Sequence, residues 1–223
     1  MSLRILIRGG MMVVLLTAIL LVIAWRISYW QAWVFGAVNL GLVVAVSVAL
    51  ADQADLIGER MKPARGTKAW DRVLMAIFFP VTTAVLAVAA LDAGRFQWSG
   101  GMPVFLYPVF YLVYIFGAYL HLWSIRSNPF YTSTVAVRPE AGHEVIGIGP
   151  YAIVRHPGYT GIILMEAGIA MVLGSPVALI PAGMVAVLLI VRTYLEDSAL
   201  RSELPGYQAY ARTVPHRLIP HLW

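Results

Sequence analysis

The sequence contains no cysteine and has few charged residues. Without cysteine the chain has no disulfide framework, no thiolate metal site and no cysteine nucleophile. Charged residues make up 12% of the chain and hydrophobic residues 60%, whereas a soluble domain has about 25% charged and about 45–50% apolar residues. Together with a mean hydropathy of +0.78, this composition excludes an ordinary soluble domain and predicts an integral membrane protein.

The apolar runs are long enough for helices that cross a membrane, which takes about 20 residues. Two late runs are shorter, and Gly174, Ser175 and Pro176 between them predict a tight antiparallel hairpin. We therefore predict an all-α integral membrane protein with about six transmembrane helices and a C-terminal cytoplasmic amphipathic helix after Arg192. The six runs are Ile5–Ala24, Trp33–Ala51, Val73–Leu91, Pro103–Trp123, Ile162–Leu173 and Pro176–Val191.

The first run resembles a signal peptide, because Arg4 and Arg8 precede it. No small-residue cleavage site follows, and the run ends in the aromatic stretch Trp25–Trp30, which is typical of a membrane interface. We expect a retained span. The length fits one domain of residues 1–223, with a four-helix scaffold (1–123) and a cofactor-binding and catalytic part (124–223). The absence of an internal repeat disfavours a transporter built from inverted repeats.

The net charge of +5 does not predict a nucleic-acid partner, because the basic residues lie in loops between apolar runs. With six spans, one side of the membrane receives all of the Lys and Arg residues except Arg26 and Arg95. The positive-inside rule then predicts that both termini and the polar clusters are cytoplasmic, and we expect the protein in a bacterial inner membrane. The basic connection 52–71 is expected to meet lipid head groups.

Two polar clusters interrupt the apolar second half of the chain. The first is the stretch His143–Tyr159, and the second follows one hairpin later. We predict that the clusters fold together into one site at the cytoplasmic face. The second cluster consists of Arg192, Glu196, Asp197, Arg201, Glu203, Tyr207 and Tyr210.

Gly147, Gly149 and Ala152 match the dinucleotide fingerprint G-x-G-x-x-A. That motif requires a preceding strand and a βαβ unit, which membrane helices do not supply. Pro150 also removes an amide donor from the turn. We therefore do not expect a Rossmann site.

Each remaining polar residue has a structural alternative to a functional role. Arg155 and Tyr159 are either interfacial anchors or part of the site, and His156 lies near a helix start whose amides favour an anion. Arg192 and Glu196 share a helix face, and they are either a surface ion pair or charged residues with a role in the site. Glu166, inside an apolar run, is either functional or a structural contact, with Arg192 or His121 as a candidate partner.

The chain from His143 to Trp223 resembles the isoprenylcysteine carboxyl methyltransferase family, which shares a superfamily with the membrane phospholipid methyltransferases. The resembling elements are the motif at His143–Tyr151, the Arg155–Tyr159 motif, the hairpin, the acidic pair Glu196–Asp197 and the residues Tyr207, Tyr210 and Val214–Pro215. Residues 59–71 and 128–135 also resemble prokaryotic members. The chain departs from the family in Asp197, where Glu is usual, in a shorter turn before Tyr207, and in lacking a glutamine before His143.

The resemblance implies S-adenosylmethionine as the cofactor and assigns roles by position. His143, Glu144, Val145, Ile146 and Tyr151 would line the cofactor pocket. His156, Pro157, Gly158 and Tyr159 would wrap the methionine part, and Glu196 would also contact the cofactor. Arg192 would hold the acceptor near the methyl group, which makes Arg192 and Glu196 the expected catalytic residues. Glu166 is a further candidate for substrate binding, and no metal is expected.

Methyl transfer from a sulfonium is an in-line displacement that depends mainly on alignment. A carboxylate acceptor needs no base, whereas an amine acceptor must lose a proton to a base such as Glu166 or His143. We predict carboxyl O-methylation of an isoprenylcysteine-like lipophilic acid or a prenylated substrate. The alternatives are N-methylation of a phospholipid or other lipid amine, a non-catalytic membrane binding or transport protein, and a nicotinamide-dependent reductase of the sterol-reductase type.

Overall fold

The computed structural model of the chain describes residues 3–51, 66–137, 139 and 142–223, with side chains from residue 6 onward. These residues form helices and connections and contain no strand, which confirms the all-α prediction. A π-helical segment, Ala90–Phe96, continues α3, and 3₁₀ turns occur at Val104–Leu106 and Gly149–Ala152. The α-helices are α1 (Leu3–Ala24), α2 (Trp30–Ala49), α3 (Ala69–Ala89), α4 (Tyr107–Ser127), α5 (Pro157–Val172), α6 (Leu179–Glu203) and α7 (Tyr207–Thr213).

Five helical stretches in the described part of the chain are long and apolar enough to cross a membrane. They are α1, α2, α3 with its π-helical end, α4 with the preceding turn, and α6. The helix α5 is apolar but shorter, at 16 residues. The protein is thus an integral membrane protein, and a sixth crossing by α5 stays a prediction.

The predicted hairpin is formed by α5 and α6, although its connection is longer than the three residues expected. Leu173–Ala178 separate the two helices. Gly174 adopts a φ of +86°, which glycine reaches without steric cost. Ser175 Oγ accepts a hydrogen bond from the Ala178 amide at 3.1 Å and donates one to Asp92 at 2.5 Å. The turn is therefore fastened to the end of α3.

The helices α4 and α5 pack closely because glycines face each other across their contact. A Cβ atom built on Gly161 would lie 2.7 Å from the His121 amide nitrogen and 2.8 Å from the Gly117 carbonyl oxygen. A Cβ atom on Gly168 would lie 2.8 Å from the Cα of Tyr114. Small residues allow helix backbones in membranes to approach in this way. This contact sets the position of the first turn of α5.

The segment after Arg192 differs from the single amphipathic helix that the sequence predicts. The helix α6 continues without a break to Glu203, and the seven-residue α7 follows. Within α7, Tyr207 and Ala211 are buried, while Gln208 and Arg212 are exposed. The amphipathic pattern is therefore divided between two helices, and its cytoplasmic location stays a prediction.

The last ten residues have no regular structure and fold back onto the start of α5. The amides of Arg155 and His156 donate to the carbonyl oxygens of His216 and Arg217 at 3.0 and 2.9 Å. Thr160 Oγ1 donates to the Leu218 carbonyl oxygen at 2.8 Å, and Leu218 itself is buried. This segment therefore holds the turn that leads into α5.

We expect Gly161→Ala to lower the free energy of unfolding by about 1–3 kcal/mol, because the new methyl group meets backbone atoms of α4. Gly183→Ala is the matched control. Gly183 also occupies the fifth position of its helix, but a Cβ atom there has no neighbour within 4 Å. Thermal unfolding of the detergent-solubilised variants measures the difference. Equal stability of the two variants would contradict the close packing of α4 against α5.

Candidate functional site

A cavity opens at the end of the bundle where α5 begins and α6 ends. About 790 Å³ of empty space lies between its walls, including the part open to solvent. The walls come from five parts of the chain: the connection 128–137, residues 143–146, the 3₁₀ turn with Tyr151, the start of α5, and the end of α6 with α7.

The structure brings together most of the residues that the sequence predicts as cofactor-binding. Pro157 is buried at the first position of α5 and does not line the cavity. Its ring presets the backbone angle φ for the first helical turn. The predicted residues that line the cavity are His143, Glu144, Val145, Ile146, Tyr151, His156, Gly158, Tyr159 and Glu196.

One wall of the cavity comes from residues 128–137, which lie within the predicted cofactor-binding part (124–223) but include no predicted site residue. The connection after α4 contributes Asn128, Phe130, Tyr131, Thr132 and Thr134–Val137 to the lining. The signal for this wall was present as a short polar and aromatic stretch directly after an apolar helix. Leu200 and Leu204 also line the cavity, and their sequence pattern does not differ from that of ordinary helix packing.

Phenylalanine and tyrosine contribute six rings to the described lining of the cavity. Burial raises the pKa values of Tyr131, Tyr151 and Tyr207 well above the usual tyrosine range, and it raises the pKa of Tyr210 to about 12. These phenols therefore stay neutral at physiological pH. Tyr210 donates its hydroxyl proton to the Tyr151 carbonyl oxygen at 2.6 Å. The rings in the lining are Phe130, Tyr131, Tyr151, Tyr159, Tyr207 and Tyr210.

Glu196 presents a partly exposed carboxylate to the cavity. Its Oε2 accepts a hydrogen bond from the Tyr159 hydroxyl at 2.5 Å, and the side chain is 20% exposed. The imidazole of His156 stacks on the Tyr159 ring with centroids 5.7 Å apart. In the described part of the chain, His156 Nε2 is buried without a hydrogen-bond partner, because Asp197 Oδ1 is 3.8 Å away. The Glu196 carboxylate is the group of this trio that stays partly exposed and available to a ligand.

Asp197, the residue after Glu196, is turned away from the cavity and holds its walls together. Its Oδ1 accepts from Arg155 Nε at 2.7 Å and from the Tyr207 hydroxyl at 2.9 Å. Its Oδ2 accepts from Arg201 Nε at 3.0 Å and from Arg217 Nε at 3.2 Å. One carboxylate thus joins α6, α7, the turn before α5 and the C-terminal segment.

Arg155 is not the interfacial anchor that one interpretation of the sequence suggested. It is buried, and besides Asp197 it donates from Nη1 to the Val214 carbonyl oxygen at 2.7 Å. Burial of this charge is favourable only with such partners, because desolvation of an unpaired guanidinium costs several kcal/mol. Arg155 therefore belongs to the support of the cavity.

Arg192 does not pair with Glu196, although the two share a helix face. Its partner is Asp71 in the first turn of α3, with Nε 2.8 Å from Oδ1 and Nη2 3.3 Å from Oδ2. The guanidinium lies 5.1 Å from the centroid of the Tyr159 ring and does not line the cavity. Asp71 was predicted within the solvated connection 52–71, but it is fully buried. Residues 52–65 of that connection lie outside the described residues.

Glu166 is away from the cavity lining, within α5. Its Oε2 is buried without a hydrogen-bond partner among the described residues, so neither suggested partner engages it. Arg192 is held by Asp71, and His121 Nδ1 lies 3.2 Å from the Gly158 carbonyl oxygen. The structure therefore does not bring Glu166 together with the other predicted site residues.

Residues 109–202 match the isoprenylcysteine carboxyl methyltransferase (ICMT) family. No curated protein matches the chain. The match extends from α4 nearly to the end of α6 and contains much of the cavity lining. It confirms the family resemblance identified from the sequence motifs. Asp71, α7 and the C-terminal segment lie outside the matched residues.

We expect Asp197→Asn to lower the free energy of unfolding by about 3–5 kcal/mol, because it leaves the buried guanidinium of Arg155 uncompensated. Glu203→Gln on the same helix is the control. Its ion pair with Lys68, at 2.6 Å, is 40% exposed on the glutamate side, so we expect a change below about 1 kcal/mol. Thermal unfolding in detergent compares them. A loss no larger for Asp197→Asn than for Glu203→Gln would rule out the supporting role.

Proposed function

We propose, from the match to the isoprenylcysteine carboxyl methyltransferase family and from the chemistry of the cavity, that this protein is an S-adenosylmethionine-dependent methyltransferase. We further propose that it O-methylates the carboxyl group of an isoprenylcysteine-like lipophilic acid. N-methylation of a phospholipid or other lipid amine is the alternative that the acceptor assay below tests.

The aromatic lining of the cavity carries this proposal. S-adenosylmethionine has a sulfonium and an ammonium group, and aromatic faces attract cations of this kind. Its adenine ring also suits a lining rich in tyrosine. Glu196 adds a carboxylate whose Oε1 has no hydrogen-bond partner among the described residues. The carboxylate and the aromatic rings of the lining both favour a cationic, partly aromatic ligand.

The same lining disfavours a nicotinamide dinucleotide. Its phosphates are bound in proteins by arginine, lysine and free backbone amides. Among the described lining residues only Arg155 carries a permanent positive charge, and its guanidinium is engaged by Asp197 and Val214. Gly149 packs against the chain itself, because a Cβ atom there would lie 2.6 Å from Ser127 Oγ.

We assign the cofactor contacts by position along the walls. His143, Glu144, Val145, Ile146 and Tyr151 form the side that would hold the adenosine part. The start of α5, from His156 to Tyr159, would hold the methionine part, with Pro157 shaping the turn. Glu196 would accept hydrogen bonds from the amino or ribose groups.

Arg192 is the residue proposed to orient the acceptor carboxylate. Nε and Nη2 are fixed by Asp71 and by the Ser133 carbonyl oxygen, at 2.9 Å from Nη2. Among the described residues Nη1 makes no hydrogen bond, so it is available to an anion. The bound cofactor would supply the electrophilic methyl group. The protein contributes alignment, and a carboxylate acceptor attacks the methyl group without a base.

The amine alternative requires a base close to the acceptor. Of the two candidates named from the sequence, His143 lines the cavity and Glu166 does not. An assay of the purified protein with an N-acetylated S-prenylcysteine and with phosphatidylethanolamine separates the two classes of acceptor. Transfer to the amine alone would overturn the O-methylation proposal and retain the cofactor assignment.

Calorimetry of the purified protein in detergent tests the cofactor. We expect binding of S-adenosylmethionine and of its demethylated product, and no binding of NADPH. Glu196→Gln should weaken cofactor binding by about 10-fold, because a hydrogen bond to a charged group contributes about 1.5–3 kcal/mol. Glu203→Gln, on the same helix outside the cavity lining, should bind as the wild type does. Heat with NADPH alone would refute the methyltransferase assignment.

Arg192→Lys tests the acceptor contact while retaining a positive charge beside Asp71. The ammonium group cannot reproduce the planar fork of the guanidinium. We expect kcat to fall by about 100-fold, as alignment losses of this kind do, with the Kd for S-adenosylmethionine within about threefold of wild type. Radiolabelled methyl transfer measures kcat, and calorimetry measures the Kd for S-adenosylmethionine. Full turnover by Arg192→Lys would show that the acceptor is oriented elsewhere.

A further inference from the structure

We propose that Asp71 is a positioning residue for methyl transfer, which fixes the guanidinium of Arg192 and the cavity wall at Ser133–Val135 at the same time. This inference rests on the proposed function. Asp71 lies outside the residues that match the family, at the end of the segment 59–71 that resembles prokaryotic members, and the sequence alone gives it no role in the site.

The contact between Asp71 and Arg192 determines which part of the guanidinium is available. The carboxylate is fully buried and receives Nε at 2.8 Å and Nη2 at 3.3 Å. Two contacts to one carboxylate fix the plane of the guanidinium, which a single contact would not do. The ring of Tyr159 lies against the same guanidinium, with its centroid 5.1 Å from Cζ. Arg192 is therefore held in one orientation, in which Nη1 makes no hydrogen bond to the described residues and can donate to an acceptor carboxylate.

The same carboxylate also holds one wall of the cavity. Asp71 Oδ2 accepts a hydrogen bond from the Val135 amide at 2.7 Å, and the Val135 carbonyl oxygen accepts one from the Lys68 amide at 3.1 Å. Arg192 Nη2 donates to the Ser133 carbonyl oxygen at 2.9 Å. Thr134 and Val135 line the cavity. The acceptor residue and this wall are thus positioned by one group.

A purely structural ion pair would have the same burial, so the test must separate positioning from stability. Asp92 provides the matched control, since it is also fully buried and also accepts a backbone amide, from Ser99 at 2.8 Å. Its other partners are hydroxyl groups of Ser99 and Ser175 at the opposite end of the bundle. Loss of its charge affects folding without touching the cavity.

The experiment compares Asp71→Asn with Asp92→Asn. In Asp71→Asn the side chain retains one acceptor oxygen. It loses the negative charge and places an NH₂ group against the N–H donors of Arg192 and Val135. We expect kcat per folded molecule to fall by about 100-fold, while the KM and Kd for S-adenosylmethionine stay within about threefold. Asp92→Asn should retain kcat per folded molecule within about twofold, even if its melting temperature falls further.

Wild-type kcat per folded molecule in Asp71→Asn would overturn the positioning role. If that variant cannot be purified in folded form, Asp71→Glu decides, because it retains the charge and displaces the carboxylate by one methylene group. A kcat loss with unchanged cofactor affinity supports the proposal, and an unchanged kcat overturns it. Measurement of the wild-type protein in the same series separates failure of the proposed function from failure of the positioning role. A wild type that binds no S-adenosylmethionine overturns the proposed function and the positioning role with it.

Discussion

Buried carboxylates that receive guanidinium groups hold the cavity together. Charge is costly to place beside apolar helices, so each buried charge needs a partner with good geometry. Asp197 receives Arg155, Arg201 and Arg217 and thereby connects segments that are far apart in sequence. Asp71 connects α3 to α6 through Arg192. The walls depend on these pairs, because the connection 128–137 and the C-terminal segment contain little regular structure of their own.

Neighbouring acidic residues serve opposite purposes at the end of α6. Successive residues on a helix point about 100° apart, so Glu196 and Asp197 cannot face the same surroundings. Glu196 lines the cavity, is partly exposed and accepts a hydrogen bond from the Tyr159 hydroxyl. Asp197 is buried and saturated with donors. One acid is therefore available to a ligand, and the other supports the structure around it.

The arrangement of the charges agrees with the chemistry proposed for the site. The cavity offers aromatic faces and the carboxylates of Glu144 and Glu196, whereas the positively charged Arg192 lies behind Tyr159, outside the lining. A cationic methyl donor and an anionic acceptor would then approach from different sides of that ring. Alignment of two such partners accounts for much of the rate that a methyltransferase must supply, and it requires a rigid frame more than it requires a base.

The sequence by itself determined the all-α membrane architecture, the hairpin, the family resemblance and nine residues of the cavity lining. Apolar run length and local motifs carry that information, because each depends on residues close together in the chain. The tertiary structure alone decided which charges pair. Asp71 and Arg192 are 121 positions apart, and helical spacing pointed instead to Glu196. Local periodicity cannot show which distant carboxylate a buried guanidinium reaches, because helix packing decides that partner.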